Sequence, residues 1–220
     1  MATEDSGRVY AGRSGAERSA ERRTALLTAA LRIVSAEDWN ALRIDALCRE
    51  AGLSKRYFYE AFSSLDELST ALVEWLVGDL IAATLEGRDR DPTPEGFVRA
   101  TLEPFVAHLV DDPARARVLF GSVPGDGAAA RHRDAALHRL TVAAIGVGLE
   151  VHDAEPDPAV GVGASFLVGG TVQAVLDWLV APGARDPDAL VEDLGALWQA
   201  VVDTTFSAAR TGPGSGGAAG

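Results

Sequence analysis

Apolar residues recur along this chain at the three- and four-residue spacing of a helix, and no stretch alternates as a half-buried strand must. That pattern restricts the chain to an all-α fold. Leu26, Leu27, Ala30, Leu31, Ile33 and Val34 form one broad face, with Ser14 and Glu17 at capping-box spacing ahead of it. Asp38 and Asn40 tolerate left-handed backbone and should end this helix, with Trp39 folded back onto the core. A short helix is expected over residues 44–51, closed by Gly52, and another over 55–62, capped by Ser54. Leu65, Leu68, Leu72, Trp75, Leu76 and Leu80 mark a long amphipathic helix to about residue 85, with Asp66 and Glu67 in its first turn. Pro94, Pro113, Pro158 and Pro187 each stand where a helix can begin, since its first residue needs no N–H donor. They predict helices over 94–110, 113–120, 128–151, 158–180 and 187–210.

Residues 1–13 are without periodicity and read as a disordered arm, and the Gly/Ala/Ser-rich residues 211–220 as a flexible tail. Residues 159–176 carry no charge, close to the minimum length for a membrane span. Four glycines and Gln173 interrupt that stretch and Asp177 follows it, so a buried helix is expected and no membrane association. A single cysteine, Cys48, excludes an internal disulfide, and the polar N-terminus lacks the apolar run of a secretory signal. Both fit a cytoplasmic protein. The net charge of −12 looks wrong for a nucleic-acid binder, but its distribution matters more. Residues 1–62 hold ten basic and nine acidic side chains, and the remaining residues ten and twenty-three. The acid belongs to the body.

Residues 42–62 carry the strongest functional signal: two short helices joined through Gly52 and Leu53, a helix-turn-helix. On the second helix Phe58 and Phe62 are four apart and face inward, leaving Lys55, Arg56, Tyr57 and Tyr59 outward. Such side chains on a helix entering the major groove supply phosphate pairing, guanine contacts and apolar contact with thymine methyls. Cys48 lies on the inward face of the first short helix and is expected to be a buried thiol.

Residues 26–72 resemble the TetR family of transcription regulators. Leu26–Val34 is similar to the family's first helix, and Ala51, Gly52, Leu53, Ser54, Tyr59 and Phe62 match its helix-turn-helix signature. The resemblance implies a phosphate contact at Tyr59, base or phosphate contacts at Lys55, Arg56 and Tyr57, and a capping role for Ser54. Arg43 stands where the family has a backbone-contacting Ser or Thr, Leu65 where it has a phosphate-pairing Lys, and Asp38 where it has Gly. Arg13, Arg18, Arg22 and Arg23 are placed where a minor-groove arm could reach from, but a solvated face is the preferred reading. The DNA-binding domain is assigned to residues 14–64 and a ligand-binding and dimerisation domain to residues 65–210.

That second domain shows no enzyme signature. Its histidines lack zinc-like spacing, and neither a metal nor a cofactor is expected. Phe105, His108, Leu109, Phe120, Leu140, Phe166 and Trp178 are expected to surround a pocket for a small apolar effector, with His108 orienting it. The last two helices are apolar over more of their circumference than one buried face needs, so a homodimer is expected through them, as the resemblance also implies. The expected function is a repressor that leaves a double-stranded operator when the effector binds. The alternative is a dimeric regulator answering to protein partners.

Overall fold

The computed structural model describes residues 15–88, 94–121, 127–181 and 186–210. The expected arm with Arg13, the cap Ser14 and the tail 211–220 lie outside the described residues. Within them run α1 (Gly15–Ala36), α2 (Ile44–Ala51), α3 (Lys55–Ala61), α4 (Leu65–Arg88), α5 (Pro94–Asp111), α6 (Pro113–Phe120), α7 (Gly127–Val151), α8 (Pro158–Val180) and α9 (Pro187–Arg210). No strand occurs among the described residues.

The expected punctuation holds in detail, with two exceptions. Asp38 adopts φ 150°, a backbone conformation that favours glycine, and its carboxylate accepts from the Asn40 and Ala41 N–H groups at 2.6 and 3.2 Å. Those two bonds offset a strain of roughly 1–3 kcal/mol. Asn40, expected to be left-handed too, instead lies inside the 3-10 turn Trp39–Ala41 that Asp38 caps, and Trp39 is buried. Gly52 ends α2 in the left-handed region at φ 65°, and the Leu53 N–H closes the turn onto the Cys48 carbonyl. Ser54 occupies the N-cap of α3, but its hydroxyl makes no capping bond; only its carbonyl accepts, from Tyr57 and Phe58. At α4 the Ser64 hydroxyl accepts from the Glu67 N–H, and the Glu67 carboxylate reaches back to Ser63.

Helices α1–α3 close around Leu26, Ala30, Leu47, Phe58 and Phe62. The body meets this head through α4, which leaves α3 after three residues, and through α6, which packs beneath α1. Helices α5 and α9 and helices α7 and α8 pack pairwise, and α8 lies along α9. Pro104 inside α5 has no N–H for the Ala100 carbonyl. Gly87 brings α4 against that turn: a Cβ there would press on Pro104 and stand 2.6 Å from the Ala100 oxygen. By length and composition alone α4 and α8 could each cross a membrane. In this fold α8 buries Val160, Leu167, Val168, Val172 and Val175 inside the bundle.

Candidate functional site

The outer side of α3 presents Lys55, Arg56, Tyr57 and Tyr59, with Phe58 fully buried behind them. Tyr59 is 59% exposed and Tyr57 38%. The cations are held by acids close by. Lys55 pairs with Asp45 of α2 at 2.6 Å, which raises its pKa, and Arg56 pairs with Glu60 one turn on at 2.9 Å. These pairs are solvent-exposed, hence weak and readily exchanged for phosphate or a base edge. Arg43 folds back, its Nη1 donating to the carbonyls of Asn40 and Leu42 at 2.6 and 2.9 Å. It is exposed, and α2 starts without a side-chain cap. Leu65 is half-buried against the core, as suits its departure from a basic residue. Cys48 is buried, and burial pushes its thiol pKa up, which leaves it unreactive.

The arginines of α1 are placed differently from a free arm. The Arg23 Nη1 donates to the Ala61 carbonyl in the last turn of α3 at 3.0 Å, and its guanidinium covers the Phe62 ring at 4.2 Å. Arg22 lies over the Tyr57 ring at 4.7 Å and 3.9 Å from Glu60. Both brace α3. A helical projection of α1 cannot find this, because the partners lie almost forty residues away.

The body contains a cavity of about 90 Å³. Its walls come from five helices: Ile81, Thr84 and Leu85 of α4; Phe97, Thr101 and Phe105 of α5; Leu140 and Val147 of α7; Leu167, Val168 and Thr171 of α8; and Trp198, Val202 and Phe206 of α9 among them. Of the seven residues expected there, only Phe105 and Leu140 line it. Leu109 and Phe120 are buried in the core elsewhere, and Trp178 is half-buried away from the wall. Phe166 is 67% exposed, on the face of α8 turned away from the bundle. His108 points toward α6, where Arg115 lies between its Nε2 at 2.6 Å and the Asp79 carboxylate; Asp112 also holds Arg115, at 3.1 Å. Burial first, and Arg115 next, lower the His108 pKa. The polar residue picked to orient a ligand instead ties α4, α5 and α6 together. Trp198, Val202 and Phe206 were visible in the sequence as the apolar face of α9, but periodicity does not say which face closes on a void.

Residues 26–72 match the family model of the bacterial regulatory proteins, tetR family. No curated protein matches the chain in sequence. Solved structures share its fold. The transcriptional regulator FadR from Bacillus subtilis, solved with stearoyl-CoA, is 14% identical over 81% of this chain and 98% of its own, with a TM-score of 0.66. The fatty acid degradation regulator FadR from Bacillus halodurans is 14% identical over 81% and 94%, at 0.68. A TetR-family transcriptional regulator from Streptomyces coelicolor is 17% identical over 84% and 99%, at 0.65. By its matched segment, the helix-turn-helix head of this chain belongs to the tetR family of bacterial regulatory proteins.

Proposed function

We propose that this chain is a transcriptional repressor that binds a double-stranded operator as a two-fold dimer and releases it when a small apolar molecule enters the cavity. One observation carries the reading: α4 begins three residues after the recognition helix, and its far end, at Ile81, Thr84 and Leu85, is a wall of the cavity. A cavity of about 90 Å³ is smaller than the roughly 150 Å³ that holds benzene in an apolar protein interior. An effector larger than that must project through the opening or move the walls, and α4 is one of them. Moving α4 re-aims the recognition helices, which must stand about 34 Å apart to read successive major grooves. The ligand therefore has a differential affinity for two arrangements, as a switch requires.

In this reading Tyr59 contacts phosphate, Lys55, Arg56 and Tyr57 reach bases or phosphates, and Arg43 swings from the Asn40 and Leu42 carbonyls to the DNA backbone. Ser54 contributes its position at the helix start. The dimer forms through α8 and α9, whose outward faces expose Val162, Phe166 and Leu197. The described fold shared with a regulator solved with stearoyl-CoA supports a small-molecule effector. A cytoplasmic location and a non-enzymatic role follow from this reading. The test is a gel shift on the DNA upstream of the protein's own gene across a salt series. Binding that weakens steeply with salt and prefers this DNA over a scrambled duplex is expected; equal affinity for both refutes the repressor reading.

A further inference from the structure

We propose that the cavity selects an uncharged, largely hydrocarbon molecule carrying one oxygen function, and that Thr101 is the residue that binds that oxygen. This rests on the reading of the cavity as the effector site.

Among the described residues no Asp, Glu, Lys, Arg or His lines the cavity. Asp79 of α4 and His108 of α5 both engage Arg115, and His152 stands behind the wall, its ring stacked on Phe206 at 4.1 Å and edge-on to Phe97. A carboxylate or ammonium inside would lose its water and meet no counter-charge, a cost far above that of one hydrogen bond. The wall does contain four hydroxyls. Thr84 donates to the Leu80 carbonyl at 2.8 Å, and Thr171 accepts from the Trp198 indole N–H at 2.8 Å. Thr205 is wedged against α8 where Gly163 has no side chain, at a spacing that would put an added Cβ 2.8 Å from its oxygen. Thr101 is different. Its hydroxyl is buried and meets no partner among the described residues, not even the carbonyl one turn back that Thr84 and Thr204 both use. A buried hydroxyl left unmade is destabilising, so such a group calls for an explanation. A ligand oxygen supplies one. Thr101 stands between Phe97 and Phe105 on α5, and all three line the cavity. A ligand bonded to Thr101 would thus lie with its hydrocarbon along these rings.

The experiment titrates the full-length dimer calorimetrically with four probes: 1-octanol, octanoate, octylammonium and toluene. 1-Octanol and toluene should bind, and the two ions should bind at least tenfold more weakly than the alcohol. Thr101→Val keeps the shape and removes the hydroxyl. It should weaken 1-octanol about three- to tenfold, the worth of one neutral hydrogen bond, and leave toluene unchanged or tighter. Tight binding of octanoate or octylammonium, no binding of either neutral probe, or equal losses of 1-octanol and toluene in Thr101→Val would each overturn the proposal. Operator release is measured separately in the gel shift. An alcohol that binds through Thr101 without releasing DNA leaves this inference standing and refutes the effector reading.

Discussion

On α3, Lys55 stands against Asp45 and Arg56 against Glu60, all four side chains in water; around the cavity, walls drawn from five helices present no ionisable group among the described residues. The head thus keeps charge where it is cheap to re-pair, and an incoming polyanion can replace Asp45 and Glu60 at little cost. The body keeps charge off the cavity wall, and one of its charged clusters, Asp79, His108, Arg115 and Asp112, lies between the helices that carry the head. Under the proposed function the contrast separates two kinds of recognition. One exchanges partners at a wet surface and should follow salt. The other displaces packed hydrocarbon and should follow ligand shape and polarity.

The sharpest way to break the comparison is at the exposed apolar face of the body. Phe166→Glu together with Leu197→Glu alters no buried contact within the chain, yet should give monomers by sedimentation. Operator affinity should then fall 10²–10⁴-fold, as when two linked binding sites are separated. A wild-type protein that sediments as a monomer at micromolar concentration would sink the dimer. Next in size is Gly87→Ala. The added carbon meets Pro104 and the Ala100 carbonyl, so unfolding in urea should show a loss of about 1–3 kcal/mol. An unchanged midpoint would show that α4 and α5 are free to part.

Within the head, Arg56→Ala should relax specificity at one base pair by roughly tenfold to a hundredfold, whereas Tyr59→Ala should weaken specific and random DNA alike. Equal losses on both DNAs for Arg56→Ala would remove base readout from that position. A smaller effect is expected from Arg22→Ala and Arg23→Ala. If these arginines brace α3, affinity drops severalfold while the slope of log affinity against log salt stays put. A slope reduced by about one per substitution would instead make them phosphate contacts.

The smallest effect is the pH response of the charged cluster. Burial and Arg115 hold the folded His108 pKa below its ordinary 6.5, against the opposing pull of Asp79, Asp112 and Asp111. The folded state therefore binds the proton less readily than the unfolded chain does. Its contribution to stability is present above pH 6.5 and is lost as pH falls through the lowered folded pKa. Thermal midpoints should drop between pH 7 and 5, and by less in His108→Gln. An identical drop in that variant would assign the pH dependence to other groups.

The all-α class, the helix bounds to within about three residues, Gly52 at the turn and the outward set Lys55, Arg56, Tyr57 and Tyr59 were all legible in the sequence. Each depends on interactions within a few residues: a cap, a left-handed turn, a repeat of three and four. Asn40 shows the limit even there: expected to be left-handed beside Asp38, it lies instead inside the 3-10 turn that Asp38 caps. What only the tertiary structure decided is which apolar face meets which. Phe166 and Leu167 are neighbours in the uncharged stretch 159–176 of α8, yet one faces outward and the other lines the cavity. His108 turned to Arg115, Arg22 and Arg23 turned to α3, and the Thr101 hydroxyl came to rest without a hydrogen-bond partner among the described residues. Such outcomes depend on the packing of helices distant in sequence. Hydrophobic burial is non-directional: it demands that an apolar face be covered and leaves the choice of cover to the whole assembly.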